Sequence, residues 1–278
     1  MSTFVIARLT FREASRRWVA WAALLLGFIF LIVYAVGFNE IQRGIKGDFS
    51  STPSLMGEMH NFMLMAGLYV VNFLTVMMAV LTSVDTLSGE IASGTIHSLV
   101  TKPMRRWEIV MGKWLGFAGM LTLYLLLMAG GVMGVVYLIS GYYAPNPFQG
   151  LGLMWLNVVL LFSVSILGGS ILSTLANGVL VFGLYSVAFI GGWIEQFGSL
   201  MNNQTAVNIG VICSLIIPSD ALWRRAAYEM QSPIMSMFNR FSPFSSGSVP
   251  SPLMIIYAFL YTLVVIALAI NQFNRRDL

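Results

Sequence analysis

Apolar runs about as long as a bilayer is thick recur along the whole chain, separated by short polar intervals. This pattern predicts an all-α, polytopic membrane protein, with 1–278 forming a single transmembrane domain. Six runs are readable, at 18–38, 62–84, 109–140, 151–175, 179–194 and 253–273. The third is longer than a crossing needs and carries Lys113 near its start, so its first turn is expected to project from the membrane. The fourth and fifth form one nearly uncharged block, which divides at Ser173-Thr174-Leu175-Ala176-Asn177-Gly178, where the Asn-Gly pair signals a turn. Another apolar run, 206–217, is too short to cross at about 1.5 Å per residue, and Pro218 ends it. It is expected to form a re-entrant or interfacial helix within an extracytoplasmic segment, 196–252.

The segment before the first span has its own periodicity. At about 100° per residue, Phe4, Ala7, Phe11, Ala14 and Trp18 share one face. Arg8, Arg12, Glu13, Arg16 and Arg17 occupy the rest. Residues 1–17 therefore read as an interfacial helix, apolar face in the acyl boundary and arginines on anionic headgroups. The plainer reading, a positively charged anchor, puts it in the same place.

Composition narrows the class. Of 278 residues 58% are hydrophobic and only 9% charged, where a soluble domain carries about 25% charged. Cys213 is the single cysteine, which excludes an internal disulfide. His60 and His97 are far apart and have no cysteine partners, so a zinc site is excluded by spacing. The N-terminus is not expected to be a cleavable signal, because its apolar run is too long and lacks a small-x-small cleavage site. Orientation follows from Lys and Arg. With the N-terminus inside, the inner segments hold Arg8, Arg12, Arg16, Arg17, Lys102, Arg105, Arg106, Lys113, Arg275 and Arg276. The outer segments hold only Arg43, Lys46, Arg224, Arg225 and Arg240. Both termini are thus expected in the cytoplasm, in a cell membrane of the bacterial or archaeal inner-membrane kind.

Enzymatic chemistry is hard to find. The sequence has no G-x-x-x-x-G-K-[ST] loop, H-E-x-x-H or G-x-S-x-G. No charge falls in the middle of a predicted span, where a proton relay would place one; Glu195 comes closest, at the outer end of the fifth. Uphill movement of a substrate would therefore need an outside energy source. Gly112-x-x-x-Gly116, Gly130-x-x-x-Gly134 and the pairs Gly168-Gly169 and Gly191-Gly192 permit close helix approach. Polar residues at depth either line a route or bond across helices: Asn157, Ser163, Ser165, and the candidate pathway residues Asn72, Thr75, Tyr185 and Ser186. Met56, Met59, His60 and Met63 recur at i, i+3, i+4, i+7, and thioether plus imidazole suits Cu(I). Methionine also fills irregular apolar gaps, and the chain has 18 of them.

The charge is concentrated between the second and third runs. From Asp85 to Lys113 the chain holds three acids and four bases. An acid after the second span is followed by E-x-x-S-G-T-x-x-x-L and then by K-P-x-R-R-x-E-I-x-x-G-K. These positions are Asp85, Glu90, Ser93, Gly94, Thr95, Leu99, Lys102, Pro103, Arg105, Arg106, Glu108, Ile109, Gly112 and Lys113. The pattern resembles the membrane subunits of ABC transporters of the ABC-2 permease type. The ending Phe273-Asn274-Arg275-Arg276-Asp277-Leu278 and the stretch Pro218-Ser219-Asp220-Ala221-Leu222-Trp223-Arg224 resemble the same family. Within it the chain looks nearest to permeases related to the nitrous-oxide-reductase maturation transporter.

The resemblance implies an exporter permease joined to cytoplasmic ATPase subunits, which would carry ATP and Mg, and to a second permease copy, identical or paralogous. It makes 85–108 the coupling segment, with His97 and the charged residues of the motif meeting the ATPase. Pro103 would break a short helix over 90–100 and favour an extended Lys102. Membrane lipid is the other expected partner; nucleic acid and a cofactor on this chain are not expected. Two other classes share some of these features: a membrane-embedded enzyme acting on lipid, and a non-transporting anchor for an ATPase complex.

Overall fold

The computed structural model describes residues 2–48, 53–89, 105–232 and 248–275. These residues are helical throughout their ordered elements, with no strand among them. In chain order the helices are α1 (Ser2–Arg16), α2 (Trp18–Asp48), α3 (Pro53–Ser83), α4 (Arg106–Ser140), α5 (Pro147–Ile171), α6 (Thr174–Leu200), α7 (Gln204–Ile216), α8 (Ser219–Met230) and α9 (Leu253–Arg275). Six of them, α2 to α6 and α9, are long and apolar enough to cross a membrane. Arg106 at the start of α4 meets Asn274 near the end of α9, and Arg17 approaches Asp85 beyond the end of α3, so these helix ends lie together in pairs.

The bundle is built around α5. Its apolar stretch is 78% buried, against 11% for α2, so α5 is the central helix and α2 a peripheral one. Helices α3, α8 and α9 pack on α5. Helix α4 carries α2 and α3; it is tied to α2 by Tyr124 donating to the Ala23 carbonyl (3.1 Å) and to α5 by Trp114 donating to Ser163 (2.9 Å). Gly141, in the left-handed region at φ 71°, closes α4 with its N–H on the Tyr137 carbonyl. At about 1.5 Å per residue, the 35 residues of α4 run well beyond a hydrocarbon core of about 30 Å.

Helix α1 packs along α4. Ile6, Thr10 and Ala14 are its buried side chains, while Phe4 and Trp18 are 77% and 84% exposed. The reason lies in α4. A Cβ at Gly112 would meet Ile6 at 2.6 Å, and one at Gly116 would meet the Ala7 carbonyl oxygen at 2.6 Å. Gly112-x-x-x-Gly116 is thus a trough for α1, and the small face of α1 fills it. Gly130 and Gly134 have nothing within 4 Å of a Cβ, so the second motif packs against nothing among the described residues.

The division between α5 and α6 is also displaced. The chain breaks at Leu172 and Ser173, both extended, and Asn177 and Gly178 already lie inside α6. The expected Asn-Gly turn does not form because Asn177 is used across helices. Fully buried, it donates to the Val84 carbonyl (3.2 Å) and the Ser165 carbonyl (2.9 Å).

After α6 the chain folds back on itself. Asn202 takes a left-handed φ of 52°, and the Asn203 side chain accepts from the N–H groups of Thr205 and Ala206, which starts α7. Gly198 faces Ala206, Glu195 faces Gly210 and Gly191 faces Cys213, an antiparallel register that only glycine permits at these distances. The axes of α7 and α8 then differ by 104° across the break at 217–218. Helix α8 crosses to α5, where Met230 packs on Gly150.

Candidate functional site

The base of the charged island is a polar junction. Thr82, Thr86 and Ser88 return their hydroxyls to carbonyls four residues back, which keeps the end of α3 tightly wound into the turn holding Asp85. Ser88 shares a hydrogen bond with Thr174 at 2.9 Å, and Thr174 donates to Asp85 Oδ1 at 3.4 Å. With the Asn177 bond to Val84, these contacts join the Asp85 turn to the first turn of α6. A Cβ at Gly89 would lie 2.0 Å from Asp85 Oδ1, so any larger residue there would displace this carboxylate. Arg17 approaches Asp85 at 3.9 Å. With the Asp85 side chain 56% exposed, that contact contributes at most about 1 kcal/mol.

The other end of the island starts α4. Glu108 Oε2 accepts from the Arg105 N–H at 3.2 Å, placing a negative charge at the helix N-terminus. Arg106 donates to the Asn274 carbonyl at 3.2 Å, at the C-terminus of α9. Arg105 is exposed, whereas Gly112 and Lys113 are buried. Glu90, Gly94, Thr95, His97, Lys102 and Pro103 lie outside the described residues.

A groove of about 450 Å³ runs between α3 and α6. Tyr69, Phe73 and Met77 form one wall, and Phe182, Tyr185, Ser186 and Phe189 the other. The aromatic wall continues along α6 toward its C-terminus: ring centroids from Tyr185 to Phe189, Trp193 and Phe197 step by 6.5, 6.3 and 5.6 Å. Of the four candidate pathway residues, Tyr185 and the exposed Ser186 line this groove. Asn72 borders a recess at its head and accepts from Asn157 at 3.1 Å. Thr75 is fully buried and donates to the Val71 carbonyl of its own helix. Ser163 and Ser165 serve helix contacts, with Trp114 and with Ser83 (2.7 Å).

Above the groove sits a buried ionic cluster. Arg224 Nη2 donates to Glu195 Oε2 at 2.8 Å, and its Nε lies 2.9 Å from Asp220 Oδ2. Ser248 donates to the other Glu195 oxygen at 2.7 Å. The Arg224 side chain is 2% exposed and that of Glu195 8%. The cluster joins α6, α8 and the segment leading into α9. Gly192 makes room for it, since a Cβ there would fall 1.7 Å from Asp220 Oδ2.

The methionine face is less open than its spacing suggests. His60 is buried between Phe38 and Tyr142, and its Nε2 meets Gln42 Oε1 at 2.5 Å. Met63 is half-buried and its carbonyl accepts from Tyr34 at 3.0 Å; Met59 is exposed and Met56 half-buried. Among the described residues, no three His, Cys, Asp or Glu side chains are grouped to share a metal.

The family model for ABC-2 family transporter proteins matches residues 4–278, almost the whole chain. The chain belongs to this family. It is also 28% identical over 140 residues to the probable ABC transporter permease protein NosY of Stutzerimonas stutzeri. That alignment spans 49% of this chain and 46% of its relative, so the chain matches about half the length of the curated relative.

In this ABC-2 protein the island and the candidate pathway helices were legible as motifs and polar positions. The ionic cluster was not. Glu195 reads in sequence as an isolated acid near a membrane boundary, and its partner lies 29 positions away. Two signals could have found it: the Asp220–Arg224 spacing of four residues, and Gly191-Gly192 beside Glu195, which marks a close backbone approach.

Proposed function

We propose that this chain is the permease subunit of an ATP-binding-cassette exporter, with both termini and the 85–108 segment in the cytoplasm. Separate ATPase subunits bind ATP and Mg and perform the hydrolysis; the chain itself supplies the path and the docking surface. The contacts come from Asp85, Glu90, Gly94, Thr95, His97, Lys102, Pro103, Arg105, Arg106 and Glu108, with Gly112 and Lys113 anchoring the segment to the bundle. A second permease copy, identical or paralogous, completes the pathway, and lipid surrounds the rest.

One observation carries this reading. The turn holding Asp85 is hydrogen-bonded to the start of α6 through Ser88, Thr174 and Asn177, and the same α6 lines the groove with Tyr185 and Ser186. A push on the island is therefore delivered to a groove-lining helix rather than dissipated in a loop. Coupling needs such an element with different contacts in two states. The pathway runs along α3 and α6, with Asn72 at its head and Thr75 supporting the α3 wall from behind.

The test is a double substitution, Glu90→Ala with Arg105→Ala, in protein co-purified with its ATPase and placed in lipid nanodiscs. Substrate-stimulated ATP hydrolysis should fall while insertion and yield stay unchanged. Full stimulation in the double variant refutes the coupling assignment.

A further inference from the structure

The α3–α6 groove ends in a narrow recess of about 10 Å³ that differs chemically from its walls. Ser219, Asp220 and Trp223 close this recess, which shares Tyr69, Tyr185 and Phe189 with the groove. Trp223 stands edge-on to Tyr69 with centroids 5.3 Å apart. Two independent observations there point to a ligand.

The first is charge. One guanidinium, Arg224, faces two carboxylates, Glu195 and Asp220, so +1 against −2 leaves the cluster at −1. Arg225 does not supply the difference, because it pairs with Glu229 at 2.6 Å and stacks over Tyr228. The N-terminus of α8 offsets about half a charge at Asp220, and the remainder is uncompensated among the described residues. Asp220 is also the most open member, with a side chain 12% exposed against 8% for Glu195 and 2% for Arg224.

The second is an unmet hydroxyl. Ser219 is fully buried, its Oγ has no hydrogen-bond partner among the described residues, and it lines the same recess as Asp220. Buried polar side chains are rarely left without a partner.

The rest of the groove selects further. Its walls are aromatic faces and a thioether, which attract a cation through the ring quadrupole and bury an apolar body. A volume of about 450 Å³ suits a drug-sized molecule. An anion is repelled by the residual charge, and a neutral apolar molecule leaves that charge uncompensated. We propose that this groove binds a lipophilic organic cation, with its charge at the mouth of the recess facing Asp220 and its apolar body between the aromatics of α3 and α6. The inference names the substrate class of the proposed exporter and in that sense rests on that reading, although the binding itself does not.

The experiment uses the full chain in lipid nanodiscs with tetraphenylphosphonium as probe, and tetraphenylborate as the ion of similar shape and opposite charge. Empty nanodiscs correct for partition into lipid. Saturable binding is expected for the phosphonium alone. Asp220→Asn should weaken it by at least about tenfold, since it removes a unit charge in a low-dielectric site. That substitution leaves Arg224 balanced by Glu195, which favours a folded variant. Should it nevertheless fail to fold, Ser186→Lys at an exposed groove position decides the question, weakening the cation several-fold. Equal binding of both ions overturns the proposal. So does unchanged phosphonium affinity in folded Asp220→Asn or in Ser186→Lys. The assay contains no ATPase, so a negative result removes the cation site and leaves the permease reading to stand on the island substitutions.

Discussion

Replacing Arg224 with methionine should be the most damaging single change at the ionic cluster. The guanidinium reaches Glu195 through Nη2 at 2.8 Å and Asp220 through Nε at 2.9 Å, and it is 2% exposed. Methionine keeps most of the volume but leaves two carboxylates facing one vacated position. Charges about 3 Å apart interact by about 6 kcal/mol at an effective dielectric near 20, a gross attraction that desolvation offsets in part. Breaking such a pair from one side costs about 3–5 kcal/mol, because the remaining charge stays buried without its partner. Glu195→Gln should be far milder. It leaves Arg224 and Asp220 as a balanced pair, keeps an oxygen for Nη2, and lets the Ser248 hydroxyl turn from donor to acceptor. Its cost is about 1–2 kcal/mol, the difference between a charge-assisted and a neutral hydrogen bond. Arg224→Lys should fall between them, since a single ammonium cannot span both carboxylates as the fork does. Thermal unfolding in detergent, followed by size exclusion, should rank melting as wild type, Glu195→Gln, Arg224→Lys, Arg224→Met. If Arg224→Met melts no lower than Glu195→Gln, the cluster does not hold the bent α7–α8 segment against α6.

The remaining predictions concern glycine and asparagine. Gly116→Ala should unseat α1, because its Cβ would lie 2.6 Å from a backbone oxygen, and trypsin cleavage at Arg8 and Arg12 should rise. Gly130→Ala, with open space at the same test, should change neither cleavage nor melting. Asn177→Leu removes two interhelical hydrogen bonds, each about 0.6 kcal/mol and at most about 1.7 within a membrane. Unfolding in mixed micelles should register a loss of about 1–3 kcal/mol, together with weaker coupling of the ATPase; unchanged stability shows that the island is not anchored to α6 at this residue.

Much of the fold was legible because bilayer thickness sets a length that composition must match. The six long apolar runs correspond to α2 to α6 and α9, and Pro218 ends the short run as expected. Helix ends were less legible. Asn177 carries turn chemistry in isolation, yet the buried carbonyls of Val84 and Ser165 outbid a turn for its amide. Periodicity placed Phe4 and Trp18 on one apolar face, and both are exposed on the bundle surface; nothing in residues 1–17 records that Ile6 would pack against a glycine trough on α4 about 100 positions later.

By itself, then, the sequence determined an all-helical membrane protein with a charged island, and the island motif indicated its family. Those properties are local: span length, charge density and motif spacing are complete within a short stretch of chain. The tertiary structure alone decided which polar residues meet. It sent Asn72, Thr75 and Ser163 into hydrogen bonds within and between helices, left Tyr185 and Ser186 on an open groove, and gathered Glu195, Asp220 and Arg224 into one buried cluster. A charge in a low-dielectric interior is tolerable only beside its partner. Partnership is a property of distance in space, which spacing along the chain does not specify.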